Sequence, residues 1–447
     1  MKWRNFKSWY LMILIFFFIG YLLGDQGERI VSAVTDKNYE NLKIFSEVLH
    51  LIQKNYVEEP KVDQLIEGAL NGMLATLDPH SAYLSPEEYK EMQVETKGKF
   101  GGIGIEITLK DGILTVVAPI EDTPAYQAGI KSGDQIIKIN DEFTKKMTIF
   151  DAVKRLRGKE GTTVTITIMR EGFTQPKEFT LTRATIQVKS VKSKILEDKI
   201  GYIRITQFQE QTAQDFHKAL TEIESKTPNL QGLILDLRNN PGGLLESAVE
   251  VSDEFIDSGI IVYTEGRTPE SRMEFKAKPN KSQHNYPMVV LVNAGSASGS
   301  EIVAGALQDY GLALILGTTT FGKGSVQTVM PLDNGGGLRL TTAKYFTPKG
   351  RSIHGKGIEP DIVVAEKILA EKSSPQKIRV MREKDLENFY RNFKSEDKEK
   401  IEPEQETLEK KEEEGKEDDP QLNRAIEILK SWEIFKEKSK LKVSQLN

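Results

Sequence analysis

The sequence predicts an α/β core, entered through a helical region and a β-rich module and followed by a helical extension. Three observations predict it. Between Val188 and Val364 apolar strands and amphipathic helices alternate, the pattern of a sheet flanked by helices. Ahead of that core, glycine and β-branched residues gather into short strands over 96–184, a stretch of domain size. On the flanks, apolar residues recur at helical spacing over 36–95, and Glu and Lys dominate after Val364.

Taken in order, the chain opens with Lys2, Arg4 and Lys7 ahead of an unbroken apolar run, Trp9–Leu23. Basic residues before such a run place the N-terminus in the cytoplasm and the body across the membrane. Residues 1–35 are therefore read as a signal anchor. A cleaved signal peptide is the alternative, since the run is shorter than the roughly 20 residues that span a bilayer. Leu42, Phe45, Leu49 and Ile52 lie on one helical stripe, and Leu65, Ala69, Met73 and Leu77 on a second that stops at Asp78-Pro79. Ser85, Pro86 and Glu88 make a capping box with proline in the first turn of a third helix. A structural role in dimerisation is expected of this region, 36–95.

In the module at 96–184, strands are expected at Ile113–Val117, Gln135–Ile139 and Val164–Met169, with a helix over Thr148–Leu156. In the core, 185–364, strands are expected at Tyr202–Thr206, Leu233–Leu237, Ile260–Tyr263 and Met288–Leu291. Helices are expected at Ala213–Glu224 and Leu244–Phe255. Residues 365–420 form a charged linker with little to bury. The last stretch, 421–447, carries an apolar stripe of Leu422, Ala425, Ile426, Leu429 and Trp432, and docks on a partner subunit or on the body.

Composition narrows the chemistry. In 447 residues there is no cysteine, which excludes disulfides, thiolate nucleophiles and cysteine metal sites. No histidine-based metal spacing occurs, so neither metal nor cofactor is expected. A net charge of -5 gives no argument for nucleic acid.

Two motifs carry the chemistry. Pro287–Asn293 reads as a buried strand feeding a tight turn, Asn293-Ala-Gly-Ser-Ala-Ser-Gly-Ser-Glu301, and Ile302–Leu307 as a buried helix. A serine between that strand and helix sits beside unpaired N–H groups and the positive end of a helix dipole, where an oxyanion is stabilised. Ser296, Ser298 and Ser300 all compete for the role, Ser296 being well placed as a cap and Ser300 facing the core. The second motif, Phe321-Gly-Lys323-Gly-Ser-Val-Gln327, offers a lysine where a histidine base would otherwise be sought, and Ser–Lys pairs are a known variant of serine hydrolysis. Gly317–Lys323 comes near a phosphate-binding loop, but Gly324 replaces its Ser or Thr and a strand follows where a helix is required. A triad of His354 with Asp361 is the remaining rival.

The separated segments Asp236–Gly243, Asn293–Glu301, Gly322–Gln327, Lys349–Ile353 and Gly357–Asp361 together resemble the carboxy-terminal processing, or tail-specific, proteases. The resemblance covers most of 36–364. It implies a crotonase-like α/β catalytic core with an inserted PDZ domain, in a serine endopeptidase that cleaves exported proteins after recognising their C-terminal region. It implies Ser298 as nucleophile, Lys323 as general base and Gln327 as the residue that orients the lysine. The oxyanion hole it implies is the N–H of Gly299 with one from the Gly242-Gly243 turn. Neutral surroundings at Ser325, Val326 and Val329 are expected to let the lysine lose its proton, and Glu301 is expected to be structural.

Gly102-Ile103-Gly104-Ile105 resembles the carboxylate-binding loop of a PDZ domain, and Ala128–Asp134 is typical of bacterial members. Consecutive N–H groups there would hold a free C-terminal carboxylate while the peptide adds as a strand; Ile105 and Tyr126 are pocket or core. The expected partners are protein substrates with exposed C-termini, a second copy bound through the terminal helical regions, an adaptor protein, and the membrane. The expected location is the periplasmic side of the inner membrane, or free in the periplasm if the leader is cleaved. A catalytically silent PDZ scaffold and a crotonase-like acyl-CoA enzyme are the rival functions.

Overall fold

The computed structural model describes residues 39–110, 112–170, 172–279, 284–366, 381–386 and 419–444. The expected membrane leader and most of the charged linker lie outside them. Among the described residues no helix is long and apolar enough to cross a membrane.

The chain divides into two compact units after Thr76. The first holds helix α1 (39–55) and helix α2 (Val62–Ala75). On the apolar stripe of α1, Leu42 and Phe45 are exposed and Leu49 and Ile52 half-buried. The third helix, α3 (Pro86–Lys97), belongs to the second unit and begins at the expected capping box, in which Ser85 N–H donates to Glu88.

In the second unit, strands β1 (Ala82–Leu84) and β2 (Lys99–Gly102) lead into the β-rich module. Its sheet runs β3 (Ile105–Lys110), β4 (Ile113–Pro119), β5 (Gln135–Ile139), β7 (Thr163–Met169) and β8 (Lys177–Thr182), all antiparallel. The short β6 (Glu142–Phe143) pairs with β5, and α4 is a single turn, Pro124–Gln127. Ile136, Ile139, Val164, Ile166 and Ile168 are buried in its core with Ala152 and Leu156 of helix α5 (Ile149–Leu156). β3 is an edge strand with α5 packed beside it. Strand β9 (Ala184–Gln187) returns to pair with β2.

The core sheet follows the order β10 (Val191–Leu196), β11 (Ile200–Ile205), β12 (Gly232–Asp236), β15 (Met288–Val292), β16 (Leu314–Gly317) and β19 (Ile362–Val363). Only β10 is antiparallel to its neighbour. Successive side chains of a strand point to opposite faces, so a parallel sheet with near-continuous apolar strands must be covered twice. On one face Ile203, Ile205, Leu233, Leu235, Val290 and Val292 meet helices α6 (Thr212–Lys226), α7 (Leu245–Asp253) and α8 (Gly299–Tyr310). On the other, Tyr202, Ile234, Val289, Leu291 and Leu316 are covered by Ala425 and Leu429 of the C-terminal helix Pro420–Ser444. That helix therefore docks on its own body. Trp432, expected on its buried stripe, is instead half exposed.

A second antiparallel sheet joins β1, β18 (Gly337–Phe346), β13 (Ile260–Gly266) and β14 (Met273–Lys276), with β17 (Ser325–Pro331) also on β18. The architecture is thus a mixed helix–sheet core carrying a separate β-rich domain.

Candidate active site

The turn between β15 and α8 is held by its own side chains. Asn293 Oδ1 accepts from the N–H groups of Asn239 (2.9 Å) and Gly295 (3.0 Å), and its own N–H donates to Ser296 Oγ (2.9 Å). Ser296 Oγ donates to the Leu237 carbonyl (2.8 Å) and Ser300 Oγ to that of Asn240 (2.9 Å); both serines are fully buried. Two of the three competing hydroxyls therefore fasten the turn to the end of β12. Ser298 is the partly exposed one, directly before α8, with φ 51° and ψ -111°. A left-handed φ in a residue other than glycine costs on the order of 1–3 kcal/mol and persists only where the surroundings impose it.

What imposes it is visible on both sides. Ser298 N–H donates to Glu301 Oε2 (2.8 Å). Opposite, a Cβ on Gly242 would come within 2.7 Å of Ser298 Cβ and 2.9 Å of the Gly299 nitrogen. Gly242 (φ 101°) and Gly243 (φ 139°) occupy backbone regions that favour glycine. Gly242 N–H donates to Asn240 Oδ1 (2.9 Å), so this member of the expected oxyanion set is already engaged. The N–H groups of Gly243 and Gly299 have no hydrogen-bond partner among the described residues.

The lysine loop is tied to the same turn. Phe321 N–H donates to the Ser296 carbonyl (3.0 Å), and Gly322 N–H to Glu301 Oε1 (2.8 Å). Thr320 Oγ1 donates to the same carboxylate oxygen while accepting from Ile358 N–H (2.7 Å). One buried carboxylate thus joins the serine turn to the loop carrying Lys323. Burial pushes Glu301 up to about 7, against the opposing pull of donors from Thr320, Gly322, Ser298 and Lys323. The structural role expected of Glu301 is thus to fasten these two segments together. The signal was present, because Ser298-x-x-Glu301 is a capping-box spacing.

Lys323 is partly buried, and burial, seconded by the Arg339 guanidinium, holds its amine below the ordinary lysine value. Glu383 and Glu301 pull the other way. The expectation of neutral surroundings fails here, because those three charges come from sequence positions far from the loop. Gln327 donates its amide to Ser325 Oγ (2.9 Å). Among the described residues no hydrogen bond joins Lys323 to Ser298 or Gln327. Catalytic hydrogen bonds commonly tighten only with substrate in place.

The histidine rival loses its acid. Asp361 accepts from Gln308 Nε2 (2.9 Å) and Ile315 N–H (2.8 Å), fastening α8 and β16. The phosphate-loop rival loses its helix, since Ser325–Pro331 is strand β17. Among the described residues no cluster of His, Asp and Glu could hold a metal.

In the β-rich domain the expected carboxylate loop lies between β2 and the edge strand β3. Ile103 is buried in the domain core, and its carbonyl accepts from Ala125 N–H (2.9 Å). Gly104 (φ 77°) is crowded, since a Cβ there would lie 2.3 Å from Thr123 Cβ. Ile105 packs partly against the core, whereas Tyr126 is half exposed. Gly102 ends β2, opposite Ala184.

Three family models match separate parts of the chain: Peptidase family S41 over residues 199–364, a PDZ domain over 101–181, and the activating protease CtpB N-terminal domain over 25–88. A carboxy-terminal-processing protease of Bartonella bacilliformis is 47% identical over 359 residues, 79% of this chain and 82% of that one. Carboxy-terminal processing protease CtpB of Bacillus subtilis is 40% identical over 71% of this chain and 66% of its own length. Among solved structures, a photosystem II D1 C-terminal processing protease aligns at 30% identity over 72% of this chain and 92% of its own, with a TM-score of 0.43.

Proposed function

The chain belongs to the carboxy-terminal processing proteases of peptidase family S41, and on that premise we propose that Ser298 is its nucleophile and Lys323 its general base. One observation carries the assignment. Of the three serines in the turn, two donate to buried carbonyls, and the third shares the Glu301 carboxylate with the lysine loop. Neutral Lys323 takes the Ser298 hydroxyl proton as Oγ attacks a peptide carbonyl, then passes it to the leaving amine. Water hydrolyses the acyl-enzyme by the reverse route. Gly299 and Gly243 N–H groups stabilise the tetrahedral oxyanion, with Gly242 shaping the turn, and Gln327 orients the amine once its amide leaves Ser325.

The substrate's C-terminal carboxylate docks on the Gly102–Ile105 loop, and its last residues add to the open edge of β3 beside α5. This reading keeps exported proteins as substrates, an extracytoplasmic site of action and a crotonase-like core. It also keeps association through the helical regions, and no observation favours a silent scaffold. Casein and a peptide with a free or amidated C-terminus test it together. Ser298→Ala and Lys323→Ala each abolish cleavage of both, and amidation slows cleavage roughly ten- to hundredfold at low substrate, the loss of one charge-assisted contact. Residual turnover by folded Ser298→Ala protein overturns the nucleophile. Equal rates for acid and amide overturn the docking.

A further inference from the structure

Glu383 reaches the site from outside the peptidase match, on the short segment Met381–Leu386. Its side chain is fully buried. Its N–H donates to the Phe321 carbonyl (3.3 Å), two residues before Lys323. Oε1 meets His80 Nε2 at 2.5 Å, and Oε2 is buried with no hydrogen-bond partner among the described residues. His80 is itself fixed: its N–H donates to Asp78 (2.8 Å), and its carbonyl accepts from Arg339 Nε (3.0 Å).

A buried carboxylate oxygen without a donor is costly, and a nearby cation offsets that cost. The charged groups around the lysine are Arg339 from β18, Glu301 from α8 and Glu383 from this segment, with His80 behind Glu383 and His354 in backbone contact with Gly324. Glu301 already accepts from four donors. Glu383 has an oxygen left over, and a lysine acting as a base must shed the charge that would satisfy it.

We propose that the segment 381–386 is a built-in restraint on catalysis: docked behind the lysine loop, Glu383 favours the charged, non-basic form of Lys323 against the burial and the Arg339 charge that disfavour it. Docking of the segment and protonation of the lysine then favour each other by the same factor, as linkage requires. Whatever lifts the segment makes the base more available at neutral pH. This rests on Lys323 being the general base.

The test is the pH–rate profile of Glu383→Gln, whose amide oxygen still accepts from His80. The rising limb moves down by about one pH unit, giving roughly tenfold more activity on that limb and no change on the alkaline plateau. An unmoved limb, or activity lowered at every pH, overturns the restraint. A second measurement does not need the variant to be active. In full-length Ser298→Ala protein, amide exchange of 381–386 quickens when Lys323→Met is added. Unchanged exchange overturns the proposal. Should Lys323→Ala itself retain activity, the base assignment fails, and this result is separate from either of those.

Discussion

Gly242→Ala puts a methyl group against Ser298. The new Cβ would lie 2.7 Å from Ser298 Cβ, 2.8 Å from the Ala297 carbonyl and 2.9 Å from the Gly299 nitrogen, where ordinary contact begins near 3.4 Å. Two of those three neighbours are backbone, so Ser298 must retreat by about 0.7 Å, the difference between 3.4 and 2.7 Å. Alanine must also adopt φ 101°. Overpacking costs about 1–3 kcal/mol and the strained backbone about 1–3 kcal/mol, together about 2–6 kcal/mol. For a domain of this size that lowers Tm by roughly 5–20 °C. Misplacing a reacting atom by ~1 Å costs about a hundredfold, so kcat falls by roughly 30- to 100-fold in the fraction that stays folded. Steady-state hydrolysis of a fluorogenic peptide, with calorimetry on the same sample, reads both. Gly311→Ala is the control: φ is 67° at the end of α8, but nothing lies within 4 Å of the new Cβ. It loses about 1 kcal/mol and keeps its activity. A Gly242→Ala enzyme with wild-type kcat and Tm would show that the turn does not press on Ser298.

Three further outcomes are expected. Ser296→Ala loses about 1–3 kcal/mol in urea titrations, because it removes two buried hydrogen bonds, one to the Leu237 carbonyl and one from the Asn293 N–H. Ser300→Ala loses about 0.5–1.5 kcal/mol, since the Asn240 carbonyl still accepts from Ala297 N–H, and the folded fraction of either variant still cleaves peptide. Lys323→Met is inactive but more stable than wild type near neutral pH. Burial depresses the folded lysine below its unfolded value, so the charged form is penalised in the fold and wild-type stability rises with pH through that window, a slope that the methionine variant lacks. Leu429→Ala destabilises by about 2–5 kcal/mol in thermal melts, since the leucine fills the second face of the core sheet.

Local pattern was legible where the period was clean. Gln135–Ile139 was placed to the residue, and the capping box at Ser85 and the alternating strand at Val164 followed from spacing alone. The serine and lysine motifs were legible as residue types in order. Hidden were the partners assembled by long-range folding. Arg339 and Glu383 reach Lys323 from other segments, and no window of sequence around the lysine contains them. The engagement of Gly242 N–H by Asn240 Oδ1 is an Asx turn, which the run Asn240-Pro241-Gly242 does signal, but its effect on the oxyanion set is read only from the folded turn. Trp432 keeps the helical period of its stripe but is exposed and is not among the residues that pack on the sheet face.

The C-terminal helix is fastened by Arg238, whose guanidinium bridges Asp236 at the end of β12 and Asp419 just before the helix. Burial opposes that charge, but the two carboxylates outweigh it and keep the guanidinium firmly ionised. The face being closed is built from residues 202–316, so its cover is joined across more than a hundred residues of chain and leaves the ribosome well after the sheet it covers. Closing so long a loop is slow compared with pairing neighbours. Until it closes, Tyr202, Ile234, Val289 and Leu291 face water as an apolar sheet of the kind that aggregates or recruits chaperones. A chain cut short before Asp419 would already hold the serine and the lysine but not the lid over this sheet. Synthesis of this helix, and not of the sheet it covers, then decides when the core becomes durable.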